Sequence, residues 1–239
     1  MVDYICALII SFFVYGFAGW IWESFLCPLI TGHRIKNSGF LNGPIVPIYG
    51  VGALTVSLLF SSQETYLSIF IEGAFVACVI EYLTSWAMEA LYHRRWWDYS
   101  DKAFHVNGRV CLEGFLVFGL FSVICVKHVQ PALLTKILQY HSLTLVIVAT
   151  ALTTILILDL CFTVITLTHF NERVEEFIKE MEKVIEEFEE SKEAFEDTME
   201  FVKQVNHEKY MELMKHRKYS ERRILKAFPQ LTHKKKKDE

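Results

Sequence analysis

Hydrophobic positions are distributed very differently in the two parts of this chain of 239 residues. In the first part they form five long runs, each of which approaches the roughly 20 mostly apolar residues that a bilayer-spanning helix requires. The runs cover approximately residues 4–22, 44–60, 66–91, 108–126 and 143–167. No basic segment precedes the first run and no small-residue cleavage site closely follows it, so we expect an uncleaved span and not a signal peptide. The pattern predicts an all-α, polytopic membrane bundle of about five transmembrane helices over residues 1–170.

After residue 170 the apolar positions become periodic. They are spaced by alternating steps of four and three, interrupted only at Lys192, and are surrounded by Glu and Lys: Val174, Ile178, Met181, Ile185, Phe188, Phe195, Met199 and Val202. Such spacing is typical of a coiled coil. We therefore predict a long cytoplasmic coiled-coil helix over 171–228, which makes a homodimer or higher homo-oligomer through residues 172–226, followed by a basic disordered tail at 229–239. A single amphipathic helix that does not self-associate is the alternative.

The charged residues show the same division. Of the 24 Lys and Arg residues, 8 precede Asn171, and of the 28 Asp and Glu residues, 10 do. Six Lys or Arg side chains lie in the loops after the first and third runs or, for Arg109, at the edge of such a loop, whereas two follow the fourth run and none follows the second. The positive-inside rule then places the N-terminus outside and the tail in the cytoplasm, with the plasma membrane as the expected location. The terminal HKKKKDE is typical of a solvated end, and we expect no nucleic-acid partner.

Ionisable side chains inside the apolar runs are costly and usually face the protein interior or a wet cavity. Three of them, Glu23, Glu89 and Glu113, are predicted at similar depth near the cytoplasmic side, whereas Glu81 and Asp159 are predicted about 12–15 Å deeper, at 1.5 Å per residue. Glu81, Ser85 and Glu89 recur at helical spacing and form one stripe that leads toward residues 91–110. The sequence therefore predicts a cytoplasm-facing polar cavity.

The segment LYHRRWWDYSDKAFHVNGRV, residues 91–110, gathers polar and aromatic side chains between two apolar runs. We interpret it as a lid over that cavity, to which it contributes His93, Arg94, Arg95, Trp97, Asp98, Asn107 and Arg109. In the alternative interpretation, the arginines neutralise the acids and the tryptophans form an interfacial belt. No recognised metal-ligand spacing and no paired-cysteine motif occurs, so we predict no metal. We assign no cofactor and no catalytic residue, and an enzyme is the less favoured interpretation.

A second unusual stretch is NSGFLNGPIVPIYGVG, residues 37–52. Its glycines and prolines are incompatible with a regular helix at the start of the second run. Irregular backbone at membrane depth is tolerated only inside protein or beside water. A broken helix whose N–H groups face a cavity would suit an anionic headgroup, with Asn37 and Asn42 as polar contacts. A tight turn before a helix that begins with proline is the alternative.

Four motifs resemble a bacterial integral membrane family, the putative ABC-transporter type IV family of the CmpB type. They are FAGWIWES, NSGFLNGPIVPIYGVGAL, EYLTSWAMEALYHRRWWDYSD and NGRVCLEG, between residues 17 and 114. The resemblance covers roughly residues 10–130 and implies a permease. No G-x-x-x-x-G-K-[ST] motif occurs, so a separate ATPase subunit would be a partner, together with membrane lipids.

Three functions remain open from the sequence. The first is a permease or flippase-like transport component for a small polar or amphiphilic substrate. The second is an intramembrane enzyme that acts on a lipid-linked substrate, with a carboxylate or His93 as acid or base. The third is a membrane scaffold or sensor that signals through its coiled coil. We take transport as the leading hypothesis.

Overall fold

A computed structural model describes residues 1–32, 37–92 and 95–189. Within these ranges the chain is helical and contains no strand; the only β-type pairing is one isolated bridge between Val106 and Val110. The helices are α1 (Val2–Ile21), α2 (Cys27–Thr31), α3 (Pro47–Leu59), α4 (Tyr66–Tyr92), α5 (Leu112–Ile124), α6 (Gln130–Ile137) and α7 (Ser142–Glu189). The all-α prediction is confirmed for this part of the chain.

Four stretches are long and apolar enough to cross a membrane: Val2–Ile30, Tyr66–Tyr92, Leu112–Ile137 and Ser142–Thr168. Only 11% to 39% of each stretch is buried inside the protein. Most of this apolar surface is therefore available to lipid, as in a membrane-spanning bundle. These four helices indicate a multi-pass membrane protein.

The predicted second span is shorter than expected. Its helix, α3, has 13 residues, which corresponds to about 20 Å at 1.5 Å per residue and is less than the ~30 Å hydrocarbon core of a bilayer. Pro47 lies at the start of α3, after a stretch of irregular backbone. A fifth crossing at this position stays a prediction.

The fourth span is longer than the predicted run 108–126. Its helical stretch continues to Ile137. Lys127 looks like a loop residue in the sequence, but it lies inside this stretch because its charged group is bound by the chain itself. The Lys127 ammonium donates to the backbone carbonyls of Ser62, at 2.8 Å, and of Glu64, and lies 4.7 Å from the centre of the Tyr66 ring.

Two π-helical turns allow prolines to lie within these long helical stretches. Trp22–Leu26 joins α1 to α2, and Cys125–Val129 joins α5 to α6. Pro28 and Pro131 follow the two turns directly, in the first turn of α2 and of α6. Proline lacks the N–H of the helical ladder and clashes with the carbonyl four residues earlier, and one extra residue per turn relieves this conflict. The first π-turn also contains Glu23.

The chain divides into two compact units after Leu160. The first contains α1 to α6 and the beginning of α7. The described part of the second is the remainder of α7, which is helical up to Glu189. Residues 190–239, which include most of the predicted coiled coil and the basic tail, lie outside the described residues.

Close packing within the first unit depends on small residues. A Cβ added to Gly50 of α3 would lie 2.5 Å from the ring of Phe12 in α1, and one added to Gly119 of α5 would lie 2.8 Å from the ring of Phe70 in α4. Small residues of this kind let helix backbones approach closely in membranes. As a result α1 packs on α3 and α4 packs on α5, and the end of α1, the start of α3, the end of α4 and the start of α5 meet at one end of the bundle. We call it the site end.

Candidate functional site

The connecting segment, residues 95–111, has an ordered backbone at the site end. The amide of Tyr99 donates to the carbonyl of Gly108 at 2.8 Å, and the amide of Val106 donates to the carbonyl of Val110 at 2.9 Å. Gly108 has a φ of +65°, and a Cβ at this position would collide with Asp98 and Ser100. Glycine is required there for both reasons, and the tight turn brings Tyr99 and Arg109 against α4.

Arg109 joins the connecting segment to α4. Its guanidinium binds Glu89 at 2.7 Å, donates to the Ser85 hydroxyl at 3.2 Å, and lies 5.5 Å from the centre of the Tyr82 ring. Arg95 binds the same Glu89 carboxylate at 3.1 Å. Because the Arg109 side chain is only 10% exposed, this ion pair is largely shielded from solvent and is stronger than one at the surface.

Glu81 lies on the same face of α4, one helical turn before Ser85 and about two turns before Glu89. It is 7% exposed, and its Oε1 accepts a hydrogen bond from the Tyr99 hydroxyl at 3.2 Å. Its Oε2 is shielded from solvent and has no hydrogen-bond partner among the described residues. Burial, followed by the carboxylates of Glu81 and Glu23, raises the pKa of Tyr99 well above its ordinary value, so this phenol remains a donor.

Glu23 approaches the same place from the first π-turn. It accepts a hydrogen bond from the Tyr49 hydroxyl of α3 at 2.6 Å. The backbone here is fixed by Ser38, whose amide donates to the Ser24 hydroxyl at 3.0 Å. We call the four side chains contributed by the first π-turn, α3, α4 and the connecting segment the acid–tyrosine cluster: Glu23, Tyr49, Glu81 and Tyr99.

Asp159 of α7 binds the irregular backbone that precedes α3. Its Oδ1 accepts from the amide and side-chain nitrogens of Asn42, at 3.0 and 3.1 Å, and its Oδ2 accepts from the amide of Gly43 at 2.8 Å. An anionic headgroup was a possible acceptor for the N–H groups of this segment. In the structure the amides of Asn42 and Gly43 donate instead to a carboxylate of the same chain.

Aromatic side chains surround these polar groups. Trp96 is 2% exposed and packs edge-on against Phe40 and Tyr92, with ring centroids 5.3 and 5.8 Å apart. The indole N–H of Trp97 donates to the carbonyl of Arg109 at 3.1 Å. Both tryptophans hold the connecting segment against the bundle.

Other predicted site residues lie apart from the cluster. Trp20 donates to Asn37 at 2.7 Å, and Asn107 donates to the Tyr82 hydroxyl at 3.0 Å. Asp98 lies 3.5 Å from Arg95. His93 and Arg94 lie outside the described residues.

The three acids predicted at similar depth have separate partners. Glu23 binds Tyr49, and Glu89 binds Arg95 and Arg109. The Glu113 side chain is 67% exposed and binds Lys102 at 2.7 Å, and this contact raises the pKa of Lys102. Glu23 and Glu81 are both neighbours of Tyr99, although Glu81 was predicted to lie at a different depth from Glu23.

The tyrosines were not among the residues predicted for the site. Tyr49, Tyr82 and Tyr99 each bind a predicted site residue, but they lie in sequence contexts that look apolar or loop-like. The only signal available was the position of Tyr49 and Tyr99 within the two unusual segments. Among the described residues, no group of three or more His, Cys, Asp or Glu side chains could hold a metal ion.

Fold and site together define a multi-pass helical membrane protein with buried ionisable side chains at one end of its bundle. Residues 10–164 match the model of the family described as Putative ABC-transporter type IV, and the chain belongs to that family. In the other two comparisons, no curated protein and no solved structure matches the chain. Family membership and the apolar helices together indicate a membrane transport component.

Proposed function

We propose that the chain is the permease-like or flippase-like component of an ABC-type system that moves a small polar or amphiphilic substrate across the plasma membrane. The acid–tyrosine cluster is the observation that carries the proposal. Acidic side chains within a membrane cost free energy, and they commonly mark the pathway of a substrate or ion. Here two acids from separate helical segments lie beside one partly buried tyrosine, and one acid oxygen has no partner among the described residues.

The site end faces the cytoplasm in this proposal. The distribution of Lys and Arg in the loops supports this orientation, with the N-terminus outside and the tail inside. A substrate then reaches the cluster from the cytoplasmic side, between α4 and the connecting segment. Movement of that segment requires separation of Arg109 from Glu89, because this ion pair holds the segment on α4.

Two protein partners belong to the proposal. An ATPase subunit on a separate polypeptide supplies the energy, and a second copy of this chain pairs through residues 172–226. The heptad spacing of the tail supports the second partner. The family description, together with the absence of a P-loop motif from the sequence, supports the first.

The first experiment purifies the full-length, tagged chain from its native host in a mild detergent and identifies the complex by native mass spectrometry. We expect two copies of the chain with a P-loop ATPase. In lipid vesicles the complex should hydrolyse ATP, and Glu81→Gln should change the rate at least several-fold. Glu72→Gln is the matched control, because Glu72 lies on the same helix, is exposed, and accepts a hydrogen bond from the neighbouring Ser68.

Two results would contradict transport. In one, the chain purifies with lipid alone and without an ATPase. In the other, deletion of residues 172–239 abolishes the cellular phenotype while Glu81→Gln and Glu23→Gln leave it intact; this outcome favours the scaffold hypothesis.

A further inference from the structure

We propose that Glu81 is a proton-binding site, which holds a proton while the connecting segment covers it and releases that proton to water when the site end opens. The inference concerns the chemistry of one side chain, so it goes beyond the proposed function and depends neither on the substrate nor on the ATPase.

The hydrogen bonds of Glu81 are too few for a buried anion. A carboxylate offers about four acceptor positions, and within the described part of the chain Glu81 receives one hydrogen bond, from Tyr99 at 3.2 Å. Its Oε2 receives none among the described residues and is shielded from solvent. Removing an isolated charge from water costs far more than removing a neutral hydroxyl, so a group in this position takes up a proton.

The titratable groups around Glu81 also favour its protonated form. Its titratable neighbours come from its own helix and from each segment packed on it, and they are Cys78, Glu23, Tyr49, Tyr99 and Cys111. None of these groups is a cation, and an ionised Glu23 would repel an ionised Glu81. The two arginines of the connecting segment that the structure describes are bound to Glu89.

The first turn of α5 does not replace a cation. Glu81 Oε2 lies 4.0 Å from the position that a Cβ on Gly114 would occupy. Free N–H groups at a helix start can stabilise a carboxylate, but none of them donates to this oxygen. Contact with α5 therefore removes water from Oε2 without providing a hydrogen bond.

A proton suits the site better than a larger cation. Oε2 is enclosed by its neighbours, and the described residues contain no group of three side chains able to hold a metal. A proton requires no additional volume. It forms an O–H bond on the carboxyl group and leaves as hydronium when water reaches the oxygen, so the step is balanced without any other reactant.

Protonation and closure are then linked. The closed arrangement binds the proton and the open, hydrated arrangement releases it, so a low pH stabilises the closed arrangement. Ionisation of Glu81 also provides a second carboxylate one helical turn from Ser85, where Arg109 now donates. Release of the proton therefore weakens the preference of Arg109 for Glu89.

Infrared spectroscopy of the full-length protein in lipid nanodiscs tests the proposal directly. At neutral pH we expect the carbonyl stretch of a protonated carboxylic acid in the wild type and in the control Glu72→Gln, and its loss in Glu81→Gln. Tyr99→Phe should retain the band and shift it to higher frequency, because one hydrogen bond to the acid is lost. Raising the pH should abolish the band in the wild type.

Several outcomes would overturn the inference. They are the absence of the band from the wild type at neutral pH, its persistence in Glu81→Gln, and its loss in Glu23→Gln alone, which would assign the proton to Glu23. If Glu81→Gln does not fold, Tyr99→Phe decides, since an unshifted band places the proton on a different group. The spectrum is independent of ATPase copurification, so the proposed function and this inference can fail separately.

Discussion

Asp159 Oδ2 accepts a hydrogen bond from the amide of Gly43 at 2.8 Å, although the two residues are 116 positions apart. The other carboxylate oxygen accepts from the backbone and the side chain of Asn42. One acid of α7 thus satisfies backbone groups that no regular helix could pair. In the sequence, glycines and prolines interrupt an apolar run and would leave backbone N–H groups without acceptors. Asp159 provides acceptors for two of them.

Asp159→Ala should therefore destabilise the protein strongly. A fully buried N–H that is left without an acceptor costs about 1–3 kcal/mol. The backbone amides of Asn42 and Gly43 would both lose their acceptor, and because they are partly buried we expect a cost near the lower end of that range for each. Asp159→Asn should be intermediate, because one amide oxygen remains and the new NH₂ group faces a donor. Thermal denaturation in detergent measures the effect, with Glu72→Ala as an exposed-acid control. Equal midpoints for Asp159→Ala and Glu72→Ala would show that the contact is energetically unimportant.

The two ion pairs of the connecting segment should differ in strength. Arg109 and Glu89 have side-chain exposures of 10% and 32%, whereas Lys102 and Glu113 have 53% and 67%. Loss of one partner from a fully buried pair costs about 3–5 kcal/mol. We expect about 2–4 kcal/mol for Arg109→Ala, because Glu89 keeps its ion pair with Arg95 and some contact with water.

Double-mutant cycles compare the pairs under identical conditions. The coupling between Arg109 and Glu89 should be large and should persist in high salt, because solvent ions cannot screen a shielded pair. The coupling between Lys102 and Glu113 should be close to zero and should disappear in salt. A coupling of equal size for both pairs would contradict the burial argument.

Much of the fold could be predicted from the apolar runs, because helix length is set by the thickness of the bilayer. The ends of the helices could not be predicted as well. Lys127 suggested the end of a span, but carbonyls of a distant loop bind its charge. The first run was predicted to end near residue 22, but a π-turn follows and the helical stretch continues past Pro28 to Ile30. Both errors arise from tertiary contacts or backbone adjustments that local sequence does not encode.

The site was only partly predictable for a related reason. Helical spacing alone placed Glu81, Ser85 and Glu89 on one face, and Arg109 contacts two of these three residues. Depth along a helix says nothing about its rotation, however. Glu113 was predicted at the depth of Glu23 and Glu89, but its side chain is 67% exposed and binds Lys102, because the packing of α5 on α4 fixes which side chains face inward. The pairing of Glu23 with Tyr49 depends on such packing and leaves no periodic signal.

Tyr99 should give the protein a specific dependence on alkaline pH. An unfolded tyrosine ionises near pH 10, whereas burial and the carboxylates of Glu81 and Glu23 raise the pKa of Tyr99 in the folded protein. Above about pH 10 the unfolded state therefore binds fewer protons than the folded state, and linkage requires the free energy of unfolding to fall as pH rises. The contribution of Tyr99 is fully present below that pH.

Tyr99→Phe should reduce this alkaline loss of stability. At neutral pH the same substitution should cost about 0.5–1.5 kcal/mol through the lost hydrogen bond to Glu81. Tyr140→Phe is the control, because Tyr140 is 65% exposed. Denaturation midpoints measured from pH 8 to about pH 11 distinguish the variants. Identical slopes for Tyr99→Phe and the wild type would exclude Tyr99 as the source.

Gly50 and Gly52 provide a matched test of the packing between α1 and α3. An added Cβ at Gly50 would lie 2.5 Å from the Phe12 ring and 2.8 Å from the Phe12 carbonyl oxygen, whereas one at Gly52 meets nothing within 4 Å. Alanine in a helix interior is favoured over glycine by about 1 kcal/mol, so Gly52→Ala should be neutral or slightly stabilising. Gly50→Ala should cost about 1–3 kcal/mol through overpacking.

The effect of Gly50→Ala should also reach the acid–tyrosine cluster. Tyr49 precedes Gly50 in α3, so separation of α1 from α3 moves the Tyr49 hydroxyl away from Glu23. In the vesicle assay, Gly50→Ala should therefore reduce ATP hydrolysis by the complex, and Gly52→Ala should not. If both variants matched the wild type in stability and in activity, the close contact of α1 with α3 could not be what positions the cluster.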